Sequence, residues 1–174
     1  MSRLSSVLRK HRFTSLRAYL KELKGRRPED ELNSEFISAL TTNTTQFFRE
    51  PAHFEVLQRE FRAMLDQKAE NLTDNRELRV WCAASSSGQE PLSMMILMHH
   101  ELKRQASLGR TWNLKFLASD IDEAILEKAT RGEYAAHETQ GLSDEVRERY
   151  FMQAMGEGRI RAHPELLNRI QFAK

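Results

Sequence analysis

Two absences limit what this 174-residue chain can be. No apolar run approaches the roughly 18 to 20 residues that a membrane-spanning helix needs, so we do not expect a transmembrane protein. Cys82 is the only cysteine, which excludes an internal disulfide and favours a reducing compartment such as the cytoplasm. Residues 1–13 are amphipathic rather than continuously apolar, so they do not form a typical secretory signal.

Several sequence motifs are missing as well. The chain has no GxGxxG or GxxxxGK[ST] loop, no HExxH or CxxC pair and no hydrolase nucleophile elbow. His99 and His100 are adjacent, so they point to different faces of a helix, and we expect no metal site. We interpret His99 as a partly buried helix residue and Cys82 as a small core side chain.

Charge is distributed unevenly along the chain. Residues 1–27 contain nine Lys or Arg and one acid, which gives +8, and since the whole chain carries +2 the remainder carries −6. Arg17, Lys21 and Lys24 recur at helical spacing, which places them on one face of a predicted helix. Such a face suits a nucleic acid, a membrane surface or an acidic protein, and the alternative is an ordinary solvated face. Few exposed aromatics accompany these charges, which disfavours a nucleic acid.

The hydrophobic periodicity predicts two modules. Residues 1–70 favour a helical module, and residues 77–174 favour an α/β domain that begins after a polar linker. Two buried-type strands, 78–84 and 114–119, are each followed by a helical pattern, and this order is typical of a parallel sheet. Within residues 159–174, the pieces RIRAHPELL and RIQFAK indicate short antiparallel strands.

Four helices are predicted in the helical module. Ser15 suits the N-cap of the second helix, and Gly25 suits the position after its end. Pro28 begins the third helix, with Leu40 among its inward residues, and Pro51 begins the fourth.

Small and acidic residues follow the two predicted strands, where open α/β sheets bind their ligands. Residues 84–88, ASSSG, let a ligand approach the backbone, and Glu90 lies in the next helical turn. Asp120 ends the second strand, where an acid can accept hydrogen bonds from both hydroxyls of a ribose. Glu90 suits a ligand with an amino group better than a pyrophosphate. Taken singly, however, Glu90 also fits a simple helix-dipole role, and Asp120 fits a simple helix cap.

Three sequence blocks carry a family resemblance. TTNTTQFFREP, VWCAASSSGQEPLSMMI and FLASDIDEAILEKATRGEY occur in this order and strongly resemble the CheR-type chemotaxis receptor methyltransferases. The resemblance runs from about residue 13 to the C-terminus. It implies a cytoplasmic class I methyltransferase of receptor adaptation, which forms methyl esters on protein glutamates. The implied fold is an N-terminal helical domain followed by a Rossmann-like domain, with a small antiparallel β insertion at about 150–174.

The resemblance also implies a cofactor and its site. The cofactor is S-adenosyl-L-methionine (SAM), and the product is S-adenosyl-L-homocysteine (SAH). Asn43, Thr45 and Arg49 would line the cofactor or the reacting centre, and Glu90 and Asp120 would bind the cofactor's polar ends. Arg49 would act in catalysis, because a guanidinium can hold either the substrate carboxylate or the methionine carboxylate by paired hydrogen bonds.

Two further expectations concern anchoring and partners. We expect Phe47 and Phe48 to anchor the Thr/Asn-rich segment between the two domains. The implied partner is the cytoplasmic helical domain of chemoreceptors, whose methylation helices carry clustered glutamates. Arg17, Lys21 and Lys24 would bind this substrate, and a receptor's C-terminal peptide is a second expected partner.

The chain departs from the family pattern in two ways. Gln89 replaces an acid and Leu92 replaces a tyrosine in the block around Glu90. Family members also continue after QFAK with further strands, which carry an Asn-Arg segment and a tyrosine near the cofactor. Because two parallel strands cannot bury both faces of such a sheet, we expect a fragment or a truncated relative, which a homodimer would complete. Weak SAM binding with little turnover is one expectation, and a non-catalytic module that binds a receptor or regulator is the alternative.

Overall fold

A computed structural model describes residues 3–70, 76–156 and 158–174. These residues form eight α-helices: α1 (Arg3–Lys10), α2 (Leu16–Leu23), α3 (Glu31–Leu40), α4 (Pro51–Glu70), α5 (Gln89–Ser107), α6 (Glu123–Arg131), α7 (Asp144–Tyr150) and α8 (Pro164–Leu167). The same residues form six strands: β1 (Glu77–Ala83), β2 (Asn113–Ser119), β3 (Glu133–Ala135), β4 (Phe151–Gln153), β5 (Arg159–Ala162) and β6 (Ile170–Ala173). A 3₁₀ turn at Ala136–Thr139 lies between β3 and α7.

The first three helices pack around a small core of their own. Tyr19, Leu23 and Leu32 are its buried members. The hydroxyl of Tyr19 donates a hydrogen bond to the carbonyl oxygen of Leu32 at 2.9 Å, so this buried polar group is satisfied. Ser15 caps α2, as predicted, by accepting a hydrogen bond from the amide of Ala18 at 3.2 Å.

Two details of this region differ from the sequence prediction. α3 begins at Glu31, after Asp30 at the N-cap position, rather than at Pro28. Leu40 was predicted to point inward, but as the last residue of α3 it is 56% exposed. Gly25 follows the C-cap residue Lys24, at the position predicted for it, although its backbone is not left-handed. Its amide instead donates to the carbonyl of Glu22 at 3.2 Å, so α2 ends in a 3₁₀-type turn.

α4 begins at Pro51, as predicted, and packs along α5. A fully buried carboxylate, that of Glu101 on α5, joins the two helices. It accepts hydrogen bonds from Arg62 at 2.5 and 3.0 Å, from Gln58 at 3.1 Å and from Arg104 at 2.9 Å. These donors compensate the cost of burying the charge, so the network ties α4 to the α/β part of the chain.

The main sheet has three parallel strands in the order β1–β2–β6. β2 runs parallel to β1 along seven residues and parallel to β6 along four. The two predicted strands are confirmed to within one residue at each end. The prediction of an antiparallel strand at Ile170–Ala173 was wrong, and Pro164–Leu167 is helical rather than extended. The chain returns to the sheet through α8, so β6 runs in the same direction as β2.

A smaller antiparallel sheet has the order β3–β5–β4. This sheet follows α6. Its first strand, β3, begins at Glu133, before the range of about 150–174 that the sequence predicted for the antiparallel part. The chain thus combines an N-terminal set of helices, a partial Rossmann-like parallel sheet and a small antiparallel insertion. This arrangement confirms the predicted fold class.

One continuous hydrophobic core joins α4, α5, α8 and both sheets. Cys82 is 4% exposed and lies in this core, as predicted, while His99 is more deeply buried than predicted, at 3% exposed. Trp81, on the other face of β1, is 68% exposed. Among the helices of the described residues, none is long and apolar enough to cross a membrane.

Candidate functional site

The loop between β1 and α5 has an unusual backbone. Ala84, Ser86 and Gly88 adopt positive φ angles of 55°, 49° and 93°. Two of the three are not glycine, and such residues rarely adopt this conformation. A Cβ on Gly88 would lie 2.9 Å from the hydroxyl of Tyr134 and 3.1 Å from Ala129. The small side chains predicted to matter here therefore serve a tight turn at the carboxyl end of the sheet.

Asp120 lies at the carboxyl end of β2 and is 9% exposed. Its Oδ2 accepts a hydrogen bond from the amide of Ser86 at 2.8 Å, and its Oδ1 accepts one from the amide of Asp122 at 2.9 Å. Two backbone amides therefore fix the orientation of the carboxylate. Each oxygen keeps a further lone pair for a ligand hydroxyl, because an ionised carboxylate has about four acceptor positions.

Asn43 closes a ring of hydrogen bonds around this carboxylate. Its side-chain Nδ2 donates to Oδ2 of Asp122 at 2.9 Å, and its carbonyl oxygen accepts from the hydroxyl of Ser86 at 3.3 Å. We call Asn43, Ser86, Asp120 and Asp122 the Asn–Asp ring. The ring brings together two predicted residues, Asn43 and Asp120, that are far apart in the sequence.

Asp122 is a residue that the sequence analysis missed. It is 2% exposed, and besides Asn43 it accepts hydrogen bonds from the hydroxyls of Ser38 at 2.6 Å and Thr41 at 3.2 Å. Burial alone would raise the pKa of this carboxyl, but the hydrogen bonds, those of Ser38 and Asn43 first, hold the pKa below its usual value. The sequence analysis offered Asp120 as a simple helix cap, but the N-cap of α6 is Asp122. The partners of Asp122 at the end of α3 could not be seen in the sequence.

Phe47 and Phe48 hold the segment before α4 in place. Phe47 is 1% exposed, and its ring packs edge-on against Tyr134 at 5.0 Å and Phe151 at 5.5 Å between ring centroids. The amide of Phe48 donates to the hydroxyl of Ser93 on α5 at 3.0 Å. The predicted anchoring role of the two phenylalanines is therefore confirmed.

Arg49 and Glu90 line one cavity of about 400 Å³. Glu50, His53, Phe54, Leu57 and Met94 complete its walls. Arg49 is exposed and donates to the carbonyl oxygen of Thr44 at 3.1 Å, and Glu90 is also exposed, in the first turn of α5. The cavity thus places the cation Arg49 beside two acidic side chains, Glu50 and Glu90.

The remaining predicted residues lie outside these two groups. Thr45 is half-buried. In the sequence it lies between Asn43, a ring residue, and Phe47, which anchors the segment. Asn43 and Asp120 are not among the walls of the Arg49–Glu90 cavity, so the ring and the cavity are two distinct parts of the candidate site. The loop 84–88 and the first turn of α5 connect them.

The three predicted cations of the basic face are all exposed. Arg17 and Lys21 lie on α2, and Lys24 is the residue that ends it. Their chain segment belongs to the separate core of α1–α3, not to the core beneath the sheet. The structure therefore presents this face to solvent, outside both the ring and the cavity.

A second cavity, of about 410 Å³, lies between α4, α5 and α7. Phe48, Phe54, Ile96 and Tyr150 are among its mostly apolar walls. None of the predicted site residues lines it, so we assign the candidate site by its charged and polar groups instead.

One buried polar atom near the ring is unpartnered. Ser85 is 1% exposed, and its hydroxyl has no hydrogen-bond partner among the described residues. A buried hydroxyl without a partner costs free energy, and a polar ligand at the loop would remove that cost. Together with Asp120, this atom gives the loop the character of a site for a ligand rich in hydroxyl groups.

Similarity to one protein family covers most of the chain. The family model described as "CheR methyltransferase, SAM binding domain" matches residues 43–174. A chemotaxis protein methyltransferase of Salmonella typhimurium is 42% identical over 140 residues, which are 79% of this chain and 43% of the relative. The Escherichia coli protein of that description is 38% identical over 174 residues, 99% of this chain and 55% of the relative.

A third relative, "Chemotaxis protein methyltransferase 2" of Pseudomonas aeruginosa, is 35% identical over 173 residues. The match covers 98% of this chain and 56% of the relative. The chain therefore spans about half the length of the curated relatives that it matches.

Proposed function

Since the chain belongs to the CheR methyltransferase family, a family of SAM-dependent methyltransferases, we propose that it binds SAM at the Asn–Asp ring. We propose further that it methylates glutamate side chains of chemotaxis receptors in the cytoplasm, as a step in receptor adaptation. One observation carries the proposal. Asp120 is a buried carboxylate at the carboxyl end of a parallel strand, and two backbone amides fix its orientation.

The ring suits the sugar of the cofactor. Both oxygens of Asp120 keep acceptor capacity beyond their backbone hydrogen bonds, which matches the two adjacent hydroxyls of a ribose. The unpartnered hydroxyl of Ser85 offers a further polar contact in the same loop. The side chains of the loop 84–88 are all small, so a ligand can approach the backbone there.

The cavity suits the amino-acid end of the cofactor. Glu90 carries the charge that an α-amino group needs, and Arg49 carries the charge that a carboxylate needs. Arg49 has two candidate partners in the reaction, the methionine carboxylate and the substrate glutamate. Both fit a guanidinium that is exposed at the mouth of a cavity of about 400 Å³.

The proposed methyl transfer requires mainly that the protein align the two reacting groups. When bound, SAM supplies a methyl group activated by a positively charged sulfur. A glutamate side chain is already ionised at neutral pH, so no general base is needed. The residues around the site have to orient the carboxylate and exclude water, and this task explains a segment anchored by Phe47 and Phe48.

The basic face of Arg17, Lys21 and Lys24 suits the proposed receptor partner. Clustered glutamates on a receptor helix would be attracted to exposed cations, and this attraction raises the association rate and sets the orientation more than it adds affinity. The net charge of +8 on residues 1–27 would likewise attract an acidic receptor helix to this end of the molecule. A receptor's C-terminal peptide remains a second proposed partner.

Isothermal titration calorimetry with SAH tests the cofactor proposal. We expect the wild-type chain to bind SAH and Asp120→Ala to bind at least about tenfold more weakly, because a charged hydrogen-bond acceptor is lost. Asp144→Ala is the matched control, since that carboxylate is 93% exposed on α7 and lies outside the ring. Equal SAH affinity in wild type and Asp120→Ala, or no binding by a folded wild type, would contradict the proposal.

A second candidate function rests on the exposed cations of α2. A non-catalytic module that binds a receptor or regulator through Arg17, Lys21 and Lys24 is the alternative proposal. Retained association with a receptor fragment, without any SAH binding, would favour this alternative over the methyltransferase.

A further inference from the structure

A single carboxylate holds a whole segment of the helical region against the end of the sheet. The side chain of Asp122 accepts hydrogen bonds from Ser38, Thr41 and Asn43, which lie 84, 81 and 79 positions away in the sequence. The hydrogen bond from Ser38 is 2.6 Å long and that from Asn43 is 2.9 Å, the usual length for an N–H donor. With 2% of its surface exposed, Asp122 is shielded from water, which strengthens each contact.

Helix capping alone does not account for this arrangement. Asp122 caps α6 through the amide of Ile125 at 3.4 Å, while Ser143 caps α7 through the amide of Val146 at 3.3 Å. The two caps are thus similar in geometry. The three side-chain donors from residues 38–43 distinguish Asp122.

The contacts of Asp122 reach the candidate cofactor site by two routes. Its amide donates to Oδ1 of Asp120, and its side chain fixes the amide group of Asn43. Because Nδ2 of Asn43 faces Asp122, the side-chain oxygen of Asn43 remains as an acceptor. The carbonyl oxygen of Asn43 in turn accepts from Ser86, whose amide contacts Asp120.

We infer that Asp122 is a positioning residue, which holds the segment 38–43 in place and thereby sets Asn43 and Asp120 for the cofactor. The effect on cofactor binding rests on the function proposed above, whereas the holding of the segment does not. Asp122 itself need not contact the cofactor, since both of its oxygens are directed to protein donors.

The test uses Asp122→Asn, because asparagine is as good an N-cap as aspartate but cannot accept from three donors. Ser143→Ala is the control, since it removes a cap of similar geometry outside the site. We expect Asp122→Asn to weaken SAH binding by about fivefold, the effect of roughly one lost hydrogen bond. The control should bind as the wild type does.

A double-mutant cycle with Asn43→Ala separates positioning from a general structural effect. If Asp122 acts through Asn43, Asp122→Asn should weaken binding much less in the Asn43→Ala background than in the wild type. Fully additive losses would overturn the inference.

Hydrogen exchange gives a readout that needs no cofactor. The amides of Thr41 and Phe48, which bond to Ile37 and Ser93, report on the segment. They should exchange faster in Asp122→Asn than in the wild type and in Ser143→Ala, and unchanged exchange would overturn the inference. If the exchange changes as expected but the wild type does not bind SAH, the proposed function fails and the holding role of Asp122 stands.

Discussion

Gly141 lies at a position where no side chain fits. A Cβ there would lie 2.0 Å from the carbonyl oxygen of Phe47 and 2.9 Å from its carbonyl carbon. These are backbone atoms, so they cannot move aside without moving the anchored segment that carries Asn43 and Arg49. The sequence alone does not mark this glycine, because its constraint comes from a residue 94 positions earlier in the chain.

We expect Gly141→Ala to lower the free energy of unfolding by about 2 kcal/mol, because overpacking forces the backbone to shift. Thermal unfolding would measure this as a drop of about 4 to 8 °C. Gly25→Ala is the control, since a Cβ there would make only an ordinary contact, 3.7 Å from Glu22. Equal melting temperatures for the two variants would contradict the prediction, because the backbone at Phe47 would then move aside at little cost.

Single residues could be predicted from the sequence where local pattern decides their environment. Cys82 lies in a strand of alternating burial, and burial raises its pKa to about 12, as expected of an inert core thiol. Phe47 could be predicted to be an anchor because an ordinary solvent-exposed loop has no use for a large apolar side chain. Asp122 was missed because its partners are distant in the sequence. Ser85 was missed because the lack of a partner for its hydroxyl depends on the folded surroundings of the loop.

The predicted secondary-structure elements agree with the observed ones where an apolar pattern extends over many residues. β1 and β2 carry apolar patterns over seven residues each, and their observed bounds lie within one residue of the predicted ones. The final strand, β6, was predicted with the wrong direction. Its four residues look alike in a parallel and an antiparallel strand. The sequence also did not predict α8, the four-residue helix that precedes β6.

The contact between α4 and α5 depends on the buried carboxylate of Glu101. Burial opposes its ionisation, but hydrogen bonds from Arg62, Gln58 and Arg104 prevail and lower its pKa from 4.5 to about 2. A carboxyl whose pKa is lower in the folded state stabilises the fold above its unfolded pKa. That contribution is lost as the pH falls through the folded value.

Glu101→Gln should therefore lower the free energy of unfolding by about 2 kcal/mol at pH 7. The difference from the wild type should shrink between about pH 4.5 and pH 2, because the wild-type carboxyl then also becomes neutral. Urea denaturation at a series of pH values measures both effects. Glu60→Gln, at an exposed pair with Arg59, is the control and should change stability little. A loss that does not vary with pH would contradict the assigned role of the charge.

The whole molecule has a basic helical end and an acidic remainder. α1–α3 have a core of their own, whereas the ring, the cavity and α4 belong to the part built around the sheet. The segment 38–49 connects the two, so a receptor held at Arg17, Lys21 and Lys24 would approach a site whose edge comes from the same helical region. Charge asymmetry and the anchoring by Phe47 could be predicted from the sequence. The contribution of Asp122 could not, because its partners Ser38, Thr41 and Asn43 are distant in the sequence.

Replacing Arg17, Lys21 and Lys24 with alanine should slow association with a glutamate-rich receptor helix by about tenfold at low salt. Replacing three exposed cations elsewhere changes the net charge by the same amount and is the matched control; these are Lys103, Arg131 and Arg169. Stopped-flow association at several salt concentrations should show a difference that fades as salt rises. Equal rates for the two triple variants would exclude a specific role for the α2 face.

A crystal structure of this chain with SAH tests the proposed cofactor site most directly. We expect both ribose hydroxyls within hydrogen-bond distance of Asp120, and the amino-acid end of the ligand in the cavity between Arg49 and Glu90. SAH bound elsewhere, with Asp120 making only its two backbone hydrogen bonds, would contradict the site.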